Sequence, residues 1–397
     1  MSGILDGITV IDPSLNIAGP YCTQVLGDFG ARVIKIERPG SGDDSRKWRP
    51  PEWHSESTGF LATNRNKQSI CVDLDQPAGQ EVVKRLVRGA DVLVHAMKPG
   101  SMEARGLGYD ELAILNPRLV YCAISGFGET GPWAAKPGYD PVIQAYSGIM
   151  SVTGYPDRPP ARSGVPVIDM GTGLWAVIGI LGALLRRAQT GQGGRVSASL
   201  MDTGIAWMAI HLLTVLAGGK PPQRLGSGVE IVVPHQAFRA AGEGWILIAA
   251  PNDRLFQALC EALEMPEVAR DPRFNANSQR VRHREALIAL LEQRTLARTA
   301  EAWVPVLERA GVACAPIRTA DQVLADPLVA AGGMLVGLGG AAPPDLRLIN
   351  LPVMIDGQRA GRLDPPPKLG AHTDVVLAGA GYSMQEVAAL REAKVIG

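Results

Sequence analysis

Residues 8–36, ITVIDPSLNIAGPYCTQVLGDFGARVIKI, decide the fold that we predict for this chain. They contain a β-branched strand pattern at 8–11, a helical pattern at 21–27 and a second strand pattern at 32–36. A strand, a helix and a strand in this order predict a parallel βαβ unit. The alternation continues through residues 69–72, 77–88, 91–94, 109–115 and 119–122. We therefore predict an α/β fold in which helices cover a mostly parallel, Rossmann-like sheet.

The pattern changes in the second half of the chain. A Gly- and Pro-rich segment at 221–234 indicates a domain boundary. The residues from 236 to 327 combine a β-hairpin pattern with several amphipathic helical patterns, which predicts a smaller α+β domain. Strand-like alternation returns at 346–355, and a helical pattern follows at 384–393.

The composition indicates a globular protein that acts on a small ligand. Hydrophobic residues make up 46% of the 397 residues, the mean hydropathy is positive, and 39 basic residues balance 39 acidic ones. A chain of this length can bury a large core. Because its bulk charge attracts neither nucleic acid nor a membrane surface, we expect neither as a partner.

Three features predict a cytoplasmic location. The opening sequence, MSGILDGITVID, lacks the basic segment and long apolar run of a signal peptide. The longest apolar stretch, 174–185, is shorter than the roughly 20 residues that span a bilayer, and we interpret it as a buried helix. The cysteines are odd in number and form no CxxC pair, which indicates reduced, buried thiols. They are Cys22, Cys71, Cys122, Cys260 and Cys314.

Asp169 is the first candidate for chemistry. It lies in GVPVIDMGTG, residues 164–173, directly before the helix predicted over 174–187. The structural alternative is that its carboxylate only caps this helix, since Asp is a preferred N-cap residue. Gly171 and Gly173 are expected to leave space for a large reactive group, and a helix N-terminus favours the ionised carboxylate. A carboxylate in this position can attack a thioester and form a mixed anhydride.

The remaining motifs argue against several common classes of enzyme. Residues 126–131, GFGETG, match the dinucleotide-binding pattern GxGxxG, but PWAAKPG at 132–138 cannot continue as the helix which that pattern requires. The six histidines show neither HxxxH nor HExxH spacing, so we expect no metal site. No serine lies in a GxSxG motif, which argues against the common hydrolases.

Basic side chains follow the ends of predicted strands. Arg38 comes soon after the strand pattern at 32–36, and Lys98 and Arg105 follow the strand pattern at 91–94. Ligands of parallel sheets bind outside the carboxyl ends of the strands, where guanidinium and ammonium groups can hold phosphates. The three residues are therefore candidates for contact with a phosphorylated ligand, and the alternative for each is a solvated surface position.

Several stretches together resemble the family III CoA transferases, the family that contains formyl-CoA transferase and carnitine CoA-transferase. The resemblance covers nearly the whole chain. It is carried by AGPYCTQ (18–24), GARVIKIERPG (30–40), NPRLVY (116–121), SGFG (125–128) and GYD (138–140). It implies an enzyme that transfers CoA, with CoA or acyl-CoA as a substrate and no tightly bound cofactor.

The resemblance also implies roles for individual residues. Asp169 aligns with the catalytic aspartate of the family, which is acylated and then carries CoA as an aspartyl thioester. There are two departures: Ile17 replaces a glutamine that assists small acid substrates in formyl-CoA transferase, and a family arginine falls on Ala104, with Arg105 one place later. The CoA-binding positions that the resemblance implies are Ile17, Ala18, Arg38, Val72, Asp73, Leu74, Asp75, Ala96, Met97, Lys98, Arg105, Pro137, Gly138, Tyr139 and Asp140.

For the assembly, the resemblance implies an interlocked homodimer in which each chain passes through a ring formed by the other. It places residues 1–220 and 328–397 in a large CoA-binding α/β domain, with the small α+β domain, 221–327, inserted between them. The residue at Ile17 and the GSG segment at 226–228 fit relatives that use succinyl-CoA as donor and a small dicarboxylic or hydroxy acid as acceptor. The acceptor pocket is expected to include residues 234–236. Arg224 is a candidate partner for a second carboxylate, and the equal alternative is a solvated arginine.

Three other functions are alternatives. A 2-methylacyl-CoA racemase has a similar chain but moves an α-proton with a His and Asp pair. Here Tyr139 stands before Asp140, where those racemases carry His. A non-catalytic CoA-binding protein of this fold would be favoured by loss of the nucleophile, but Asp169 is present. A dehydrogenase has only the GxGxxG match in its support.

Overall fold

The computed structural model describes residues 3–338, 342–359 and 363–397. The first two residues of the opening sequence and part of the predicted domain 328–397 lie outside the described residues. The described strands, in chain order, are β1 (Thr9–Asp12), β2 (Arg32–Glu37), β3 (Glu52–Trp53), β4 (Glu56–Ser57), β5 (Lys67–Cys71), β6 (Val92–His95), β7 (Val120–Ser125), β8 (Gly194–Ser199), β9 (His235–Arg239), β10 (Trp245–Ala249), β11 (Ala313–Pro316), β12 (Leu335–Gly337), β13 (Arg347–Ile349), β14 (Met354–Ile355) and β15 (Gln358–Arg359).

The described α-helices follow the same numbering. They are α1 (Ala18–Asp28), α2 (Thr58–Thr63), α3 (Pro77–Val87), α4 (Tyr109–Leu115), α5 (Asp140–Tyr146), α6 (Ile149–Val152), α7 (Val167–Thr190), α8 (Leu200–Trp207), α9 (Ala209–Leu216), α10 (Asp253–Ala262), α11 (Pro266–Arg270), α12 (Asn277–Arg282), α13 (Arg284–Thr295), α14 (Ala300–Arg309), α15 (Ala320–Leu324), α16 (Pro327–Ala331), α17 (Thr373–Gly379) and α18 (Met384–Glu392).

The central sheet consists of parallel strands in the order β5-β2-β1-β6-β7-β8. The predicted α/β fold with a mostly parallel sheet is confirmed. Along the chain, winding proceeds outward from β1 to β5 and then returns to β6, so β1 and β6 are the neighbours at which the direction reverses. Ligand sites of such sheets lie at this point, outside the carboxyl ends of the strands. β8 is absent from the predicted pattern because its sequence, GRVSAS, contains one β-branched residue.

The middle of the sheet is covered on both faces. β6 and β7 are buried along their whole length, as expected for parallel strands between two layers of helices. One of the cores includes Val82 from α3 and Tyr121 from β7. Val387 of α18 and Val395, which follows that helix, belong to the same core. The last described residues are therefore packed onto the sheet domain.

Helix α7 is longer than predicted. The pattern predicted a helix from residue 174, whereas the helix begins at Val167 and has 24 residues. The poor helix propensity of glycine concealed its first turns. A Cβ on Gly173 would lie 2.7 Å from the carbonyl oxygen of Ala18, and a Cβ on Gly171 would lie 2.8 Å from the ring of Trp207. The two glycines therefore let α1 and α8 pack closely on α7, and they do not make the predicted space for a ligand.

By length and composition, α7 is the one helix among the described residues that could cross a membrane. In this fold it serves as a core helix. Ile168, Ala176 and Ile180 are buried along one face. Arg187, near its end, is also buried, and its guanidinium lies 2.9 Å from the carboxylate of Asp91. A partly buried ion pair with Asp91, the residue before β6, fits a helix packed on the sheet.

The contacts within the chain divide it into two compact units. The first contains residues 1–148, 164–209 and 328–397, and the second contains residues 149–163 and 210–327. The second unit therefore begins before the predicted boundary at 221 and also includes 149–163. Both differences are in segments that the sequence pattern assigned to the large domain.

The second unit is built on a small antiparallel sheet, β11-β10-β9. The predicted hairpin is formed by β9 and β10, with Ala237 opposite Leu247. Phe238 and Ile248 from this sheet pack against Phe256 and Trp303 from helices α10 and α14. This core is separate from the core of the six-stranded sheet.

The strand pattern at 346–355 is present but does not extend the large sheet. β13 pairs with β12, and β14 pairs with β15, in two short antiparallel hairpins. Pro352 lies between β13 and β14 and cannot donate a backbone hydrogen bond. The alternation therefore predicted strands correctly but not their partners.

Candidate active site

Two adjacent cavities lie at the carboxyl edge of the central sheet. The first has a volume of about 190 Å³ and contains Asp169 in its wall. The second has a volume of about 540 Å³ and contains Arg38. We call them the Asp169 cavity and the Arg38 cavity. Leu15, Met97 and Lys98 line both, so a single elongated ligand can extend from one into the other.

The structure brings the predicted site residues together around these cavities, with one exception. At the Asp169 cavity lie Ile17, Ala18, Ala96, Met97, Lys98, Pro137, Gly138, Tyr139 and Asp169. At the Arg38 cavity lie Arg38, Val72, Asp73, Leu74, Asp75, Met97, Lys98 and Arg105. The exception is Asp140, which is buried behind the first turn of α7. Most of these residues directly follow β1, β2, β5 or β6, where a parallel sheet binds its ligands.

Asp169 is the third residue of α7, and its side chain is half-buried. The N-cap position is Pro166, which provides no side-chain cap, so the interpretation of Asp169 as the N-cap is wrong. Burial raises the pKa of the Asp169 carboxyl to about 7, and the charge of Asp140 adds to the rise. A carboxylate that is poorly solvated and ionises near neutral pH is a suitable nucleophile.

Asp140 supplies the cap that Asp169 does not. Its Oδ2 accepts the backbone N–H of Ile168 at 2.8 Å and that of Asp169 at 3.1 Å. Its Oδ1 accepts a hydrogen bond from Nε2 of Gln144 at 2.5 Å. Only 4% of Asp140 is exposed. Asp140 therefore holds the helix that carries Asp169 and lines neither cavity, contrary to its predicted contact with CoA.

A buried ion pair fixes the loop at residues 13–18, which contributes to both cavities. Nζ of Lys35 lies 2.7 Å from Oδ2 of Asp43, and it donates to the carbonyl oxygen of Ser14 at 2.9 Å. Oδ1 of Asp43 accepts the backbone N–H of Asn16 at 3.1 Å. Because both charged side chains are fully buried, they hold this loop rigidly beside Asp169.

His95 supports the neighbouring loop at residues 96–98. It is the last residue of β6 and is buried, and its Nδ1 accepts the backbone N–H of Met97 at 3.3 Å. Burial lowers the pKa of His95 to about 4. The imidazole is therefore neutral near pH 7, and it positions the backbone that lines both cavities.

The basic side chains of the Arg38 cavity differ in their partners. Arg38 is paired with Asp44, and Arg105 is paired with Asp75. Lys98 and Lys394 have no carboxylate at ion-pair distance among residues 3–338, 342–359 and 363–397. Lys394 was missed by the sequence analysis, because it lies far along the chain from every motif at the strand ends.

Two further residues of the Asp169 cavity were also missed. Ser125, the last residue of β7, is 7% exposed, and within the described part of the chain its hydroxyl has no hydrogen-bond partner. Lys136 lies with its ammonium group 4.4 Å from the centre of the Trp133 ring. The SGFG motif and the glycine-rich loop after it were the signals that pointed to this region.

The GxGxxG match does not form a dinucleotide site. Residues 126–131 follow β7, but the next helix, α5, begins only at Asp140. A Cβ on Gly126 would lie 2.8 Å from Cα of Gly138. The two glycines let the ends of a loop meet, so the match gives no support to a dehydrogenase.

Arg224 has a role within the second unit. It donates hydrogen bonds to the carbonyl oxygens of Tyr155, Pro156 and Arg158. These bonds fix the loop at 155–158 and engage Nε and Nη2 of the guanidinium. The structure therefore gives Arg224 a local structural role, and its pairing with a carboxylate of the acceptor stays a prediction.

Comparisons with known proteins identify the class of enzyme. Residues 5–373 match the model of CoA-transferase family III. The succinyl-CoA:glutarate CoA-transferase of Homo sapiens is 36% identical over 94% of this chain and 85% of its own length. The acetyl-CoA:oxalate CoA-transferase of Acetobacter aceti is 39% identical over 93% of this chain and 92% of its own length. The crystal structure of a CAIB/BAIF family protein from Brucella suis has a TM-score of 0.87 and 38% identity, covering 96% of this chain and all of that one.

Proposed function

The chain belongs to CoA-transferase family III and is an enzyme that transfers CoA, and we propose that Asp169 is its covalent nucleophile. The observation that carries this proposal is the half-buried carboxyl of Asp169, whose pKa is raised to about 7, in the wall of a cavity. The adjoining Arg38 cavity is lined by four basic side chains, those of Arg38, Lys98, Arg105 and Lys394, together with the acidic side chains of Glu37, Asp73 and Asp75. An acyl-CoA can therefore lie with its nucleotide in the Arg38 cavity and its thioester beside Asp169.

The first half of the proposed reaction loads CoA onto Asp169. The carboxylate attacks the thioester carbonyl of the donor, the C–S bond breaks, and a mixed anhydride and CoA thiolate result. The thiolate then attacks the Asp169 carbonyl of the anhydride. The donor leaves as a carboxylate, and CoA is now bound to Asp169 as a thioester.

The second half repeats these steps with the acceptor. The acceptor carboxylate attacks the aspartyl thioester and expels CoA thiolate, which attacks the acyl carbonyl of the acceptor and regenerates the Asp169 carboxylate. No net proton transfer is needed. Because CoA stays bound, its second attack is effectively intramolecular, which can contribute roughly 7 to 11 kcal/mol at best.

For the substrates, we propose succinyl-CoA as the donor and a small dicarboxylic or hydroxy acid as the acceptor. The human relative is named for succinyl-CoA and glutarate, and the relative from Acetobacter aceti is named for acetyl-CoA and oxalate. Ile17 lies at the Asp169 cavity. An aliphatic side chain in that place, where formyl-CoA transferase has glutamine, supports an acyl group with a methylene chain.

We also propose that the enzyme is an interlocked homodimer. Helix α7 exposes Ile178 and Leu185, and helix α9 exposes Ile210 and Leu216. Apolar side chains exposed in groups mark surfaces that other protein covers. The order of the parallel strands supports a Rossmann-like description of the sheet, and a cytoplasmic location remains part of the proposal.

A 2-methylacyl-CoA racemase is the second candidate, because it shares the binding of acyl-CoA. Such an enzyme needs a base opposite the aspartate. Tyr139 is 63% exposed at the Asp169 cavity, and a phenol is a far weaker base near neutral pH than an imidazole. This favours transfer over racemisation.

The test is a search for transfer with purified enzyme. Succinyl-CoA is incubated with a mixture of dicarboxylic, hydroxy and monocarboxylic acids, and new CoA thioesters are identified by mass spectrometry. We expect at least one new dicarboxyl- or hydroxyacyl-CoA, absent with Asp169→Ala. Deuterium incorporation at C2 of a 2-methylacyl-CoA in deuterated water, without any transfer, would replace this proposal with racemisation.

A further inference from the structure

Helix α18 ends in a motif that usually requires glycine. The backbone N–H of Lys394 donates to the carbonyl oxygen of Arg391 at 3.0 Å, and that of Val395 donates to the carbonyl oxygen of Leu390 at 2.9 Å. These two bonds define a Schellman motif, in which the residue after the C-cap adopts the left-handed conformation. Lys394 has a φ of 56°. A lysine is disfavoured there relative to glycine, so its presence needs an explanation.

A second helix of this protein shows what a charged residue can gain at the same position. Helix α10 also ends in a Schellman motif, with Glu264 at a φ of 58°. The carboxylate of Glu264 pairs with Arg294 and Arg298. Lys394 has no such partner among the residues that the structure describes. Its charge is therefore available to a ligand.

The surrounding contacts direct Lys394 to the Arg38 cavity. Val395 accepts the backbone N–H of Asp73 at 2.8 Å, and Ile396 forms a β-bridge with Val72. The carbonyl oxygen of Lys394 accepts a hydrogen bond from Nε2 of Gln76 at 3.2 Å. Residues 394–396 are thus attached to the end of β5, and Lys394 lines the cavity there.

The charges of this cavity favour a phosphate. Arg38 and Arg105 are each paired with an aspartate at its edge, whereas Lys98 and Lys394 have no carboxylate at ion-pair distance among the described residues. A carboxylate already neutralises part of the field of each arginine. Of the other acidic residues that line the cavity, Glu37 pairs with Arg46, and Asp73 accepts hydrogen bonds from the backbone N–H of Asp75 and from Gln76. Lys98 and Lys394 are therefore the cations at this cavity without an ion-pair partner among the described residues, and a dianionic phosphate would match them.

We propose that Lys394 binds a phosphate at the nucleotide end of the acyl-CoA, and that the 3′-phosphate monoester is the group it takes. The inference rests on the proposed function, because it requires the nucleotide to lie in the Arg38 cavity. It adds a residue from the end of α18 to a site otherwise built from strand ends. Phosphate binding also explains why a lysine occupies a position with left-handed backbone conformation. A glycine at position 394 would suit the backbone better but would lack the charge.

The experiment compares succinyl-CoA with succinyl-dephospho-CoA, which lacks the 3′-phosphate. In the wild type, we expect kcat/KM for succinyl-CoA to be higher. In Lys394→Gly, that preference should fall about tenfold, mainly through KM, while Tm stays equal or rises because glycine suits the backbone. Lys394→Arg keeps the charge and should retain most of the preference.

Glu264→Gly is the matched control, because it makes the same backbone change at the other Schellman motif. It should leave the preference between the two donors unchanged. An equal loss with both donors in Lys394→Gly would overturn the assignment of Lys394 to the 3′-phosphate. An unchanged kcat/KM with both donors would overturn the inference, whereas absence of transfer by the wild type would overturn the proposed function instead.

Discussion

The carboxylate of Asp140 accepts the backbone N–H of Asp169 at 3.1 Å, so one buried aspartate caps the helix turn that presents the other. The same contact has an electrostatic effect. Burial is the main cause of the raised pKa of Asp169, and the negative charge of Asp140 adds to it. The residue that holds the proposed nucleophile in place therefore also makes it harder to ionise.

Replacement of Asp169 should remove transfer but not the fold. Asp169→Ala leaves no carboxylate to form the anhydride, so we expect kcat to fall by at least about a thousandfold. Steady-state rates with the donor and acceptor found above provide the measurement. The wild type is also incubated with donor but without acceptor, and a peptide containing residue 169 is analysed by mass spectrometry. This peptide should carry CoA as a thioester, which hydroxylamine removes. An adduct on another residue would contradict the assignment.

The stability of Asp169→Asn should exceed that of the wild type in a pH-dependent way. The pKa of the Asp169 carboxyl is raised from 3.8 to about 7, so the folded chain binds a proton more strongly than the unfolded chain between these values. The stability of the wild type therefore declines as the pH rises from 3.8 to about 7. Asparagine cannot ionise, so its advantage should grow over this range and reach roughly 2 to 4 kcal/mol.

Urea denaturation of both proteins at several pH values measures this advantage. It should be near its minimum around pH 4, the acid end of the range, and constant above pH 8, where the carboxyl is fully ionised in both states. If Asp169→Asn and the wild type differed in stability by the same amount at pH 4 and above pH 8, the folded environment would not disfavour the charge of Asp169.

Two substitutions of Asp140 separate its cap from its charge. Asp140→Asn keeps an oxygen for the N–H groups of Ile168 and Asp169, whereas Asp140→Ala leaves both without this acceptor. We expect Ala to cost about 1 to 3 kcal/mol of stability and Asn clearly less. Both remove the charge, so the pKa of Asp169 should fall in both.

The pH dependence of kcat/KM measures the expected fall in the pKa of Asp169. In the wild type, the rate should rise with pH as Asp169 ionises, with a midpoint of about 7. With Asp140→Asn the rise should occur at lower pH. A profile that does not move, or moves to higher pH, would mean that Asp140 does not act on Asp169 through its charge.

The proposed dimer predicts a native mass of twice the 42.0 kDa chain mass. Leu213 and Leu216 on α9 are 64% and 81% exposed. Replacing both with Glu should destabilise a dimer that covers them, because charges would be buried without partners. Ile114→Glu on α4, where the side chain is 82% exposed, is the control. Light scattering after gel filtration distinguishes the outcomes, and a wild-type mass of 42.0 kDa would exclude the dimer.

The cysteines should react slowly with thiol reagents in the folded enzyme. Burial raises the pKa of Cys71 to about 11 and that of Cys122 and Cys260 to about 12, and it raises the pKa of Cys22 as well. All five cysteines are free, and Cys314 is the one that is partly exposed, although burial raises the pKa of its thiol as well. Titration with a disulfide reagent should therefore label one thiol quickly, and Cys314→Ser should remove that phase. Several fast thiols would contradict the burial.

Much of the fold and the site could be predicted because they depend on local patterns. β-branched runs such as residues 32–36 predict buried strands, and their alternation with helices predicts parallel order. Parallel strands bring their carboxyl ends to one edge, so Arg38, Lys98 and Arg105 could be placed near one another from the sequence alone, and all three line the Arg38 cavity. For these three basic residues, the position after a predicted strand was sufficient, whereas Val72 and Met97 were expected at the site only from the family resemblance.

Contacts between distant parts of the chain could be known only from the folded protein. Asp140 and Asp169 are 29 residues apart in a capping contact, and nothing in either motif states which carboxylate caps the helix. Gly171 and Gly173 concealed the start of α7 because low helix propensity is visible in sequence, whereas close packing against Trp207 and α1 is not. Lys394 reaches the Arg38 cavity through the attachment of residues 394–396 to β5. Such contacts are set by packing free energy summed over the whole core, which no local pattern contains.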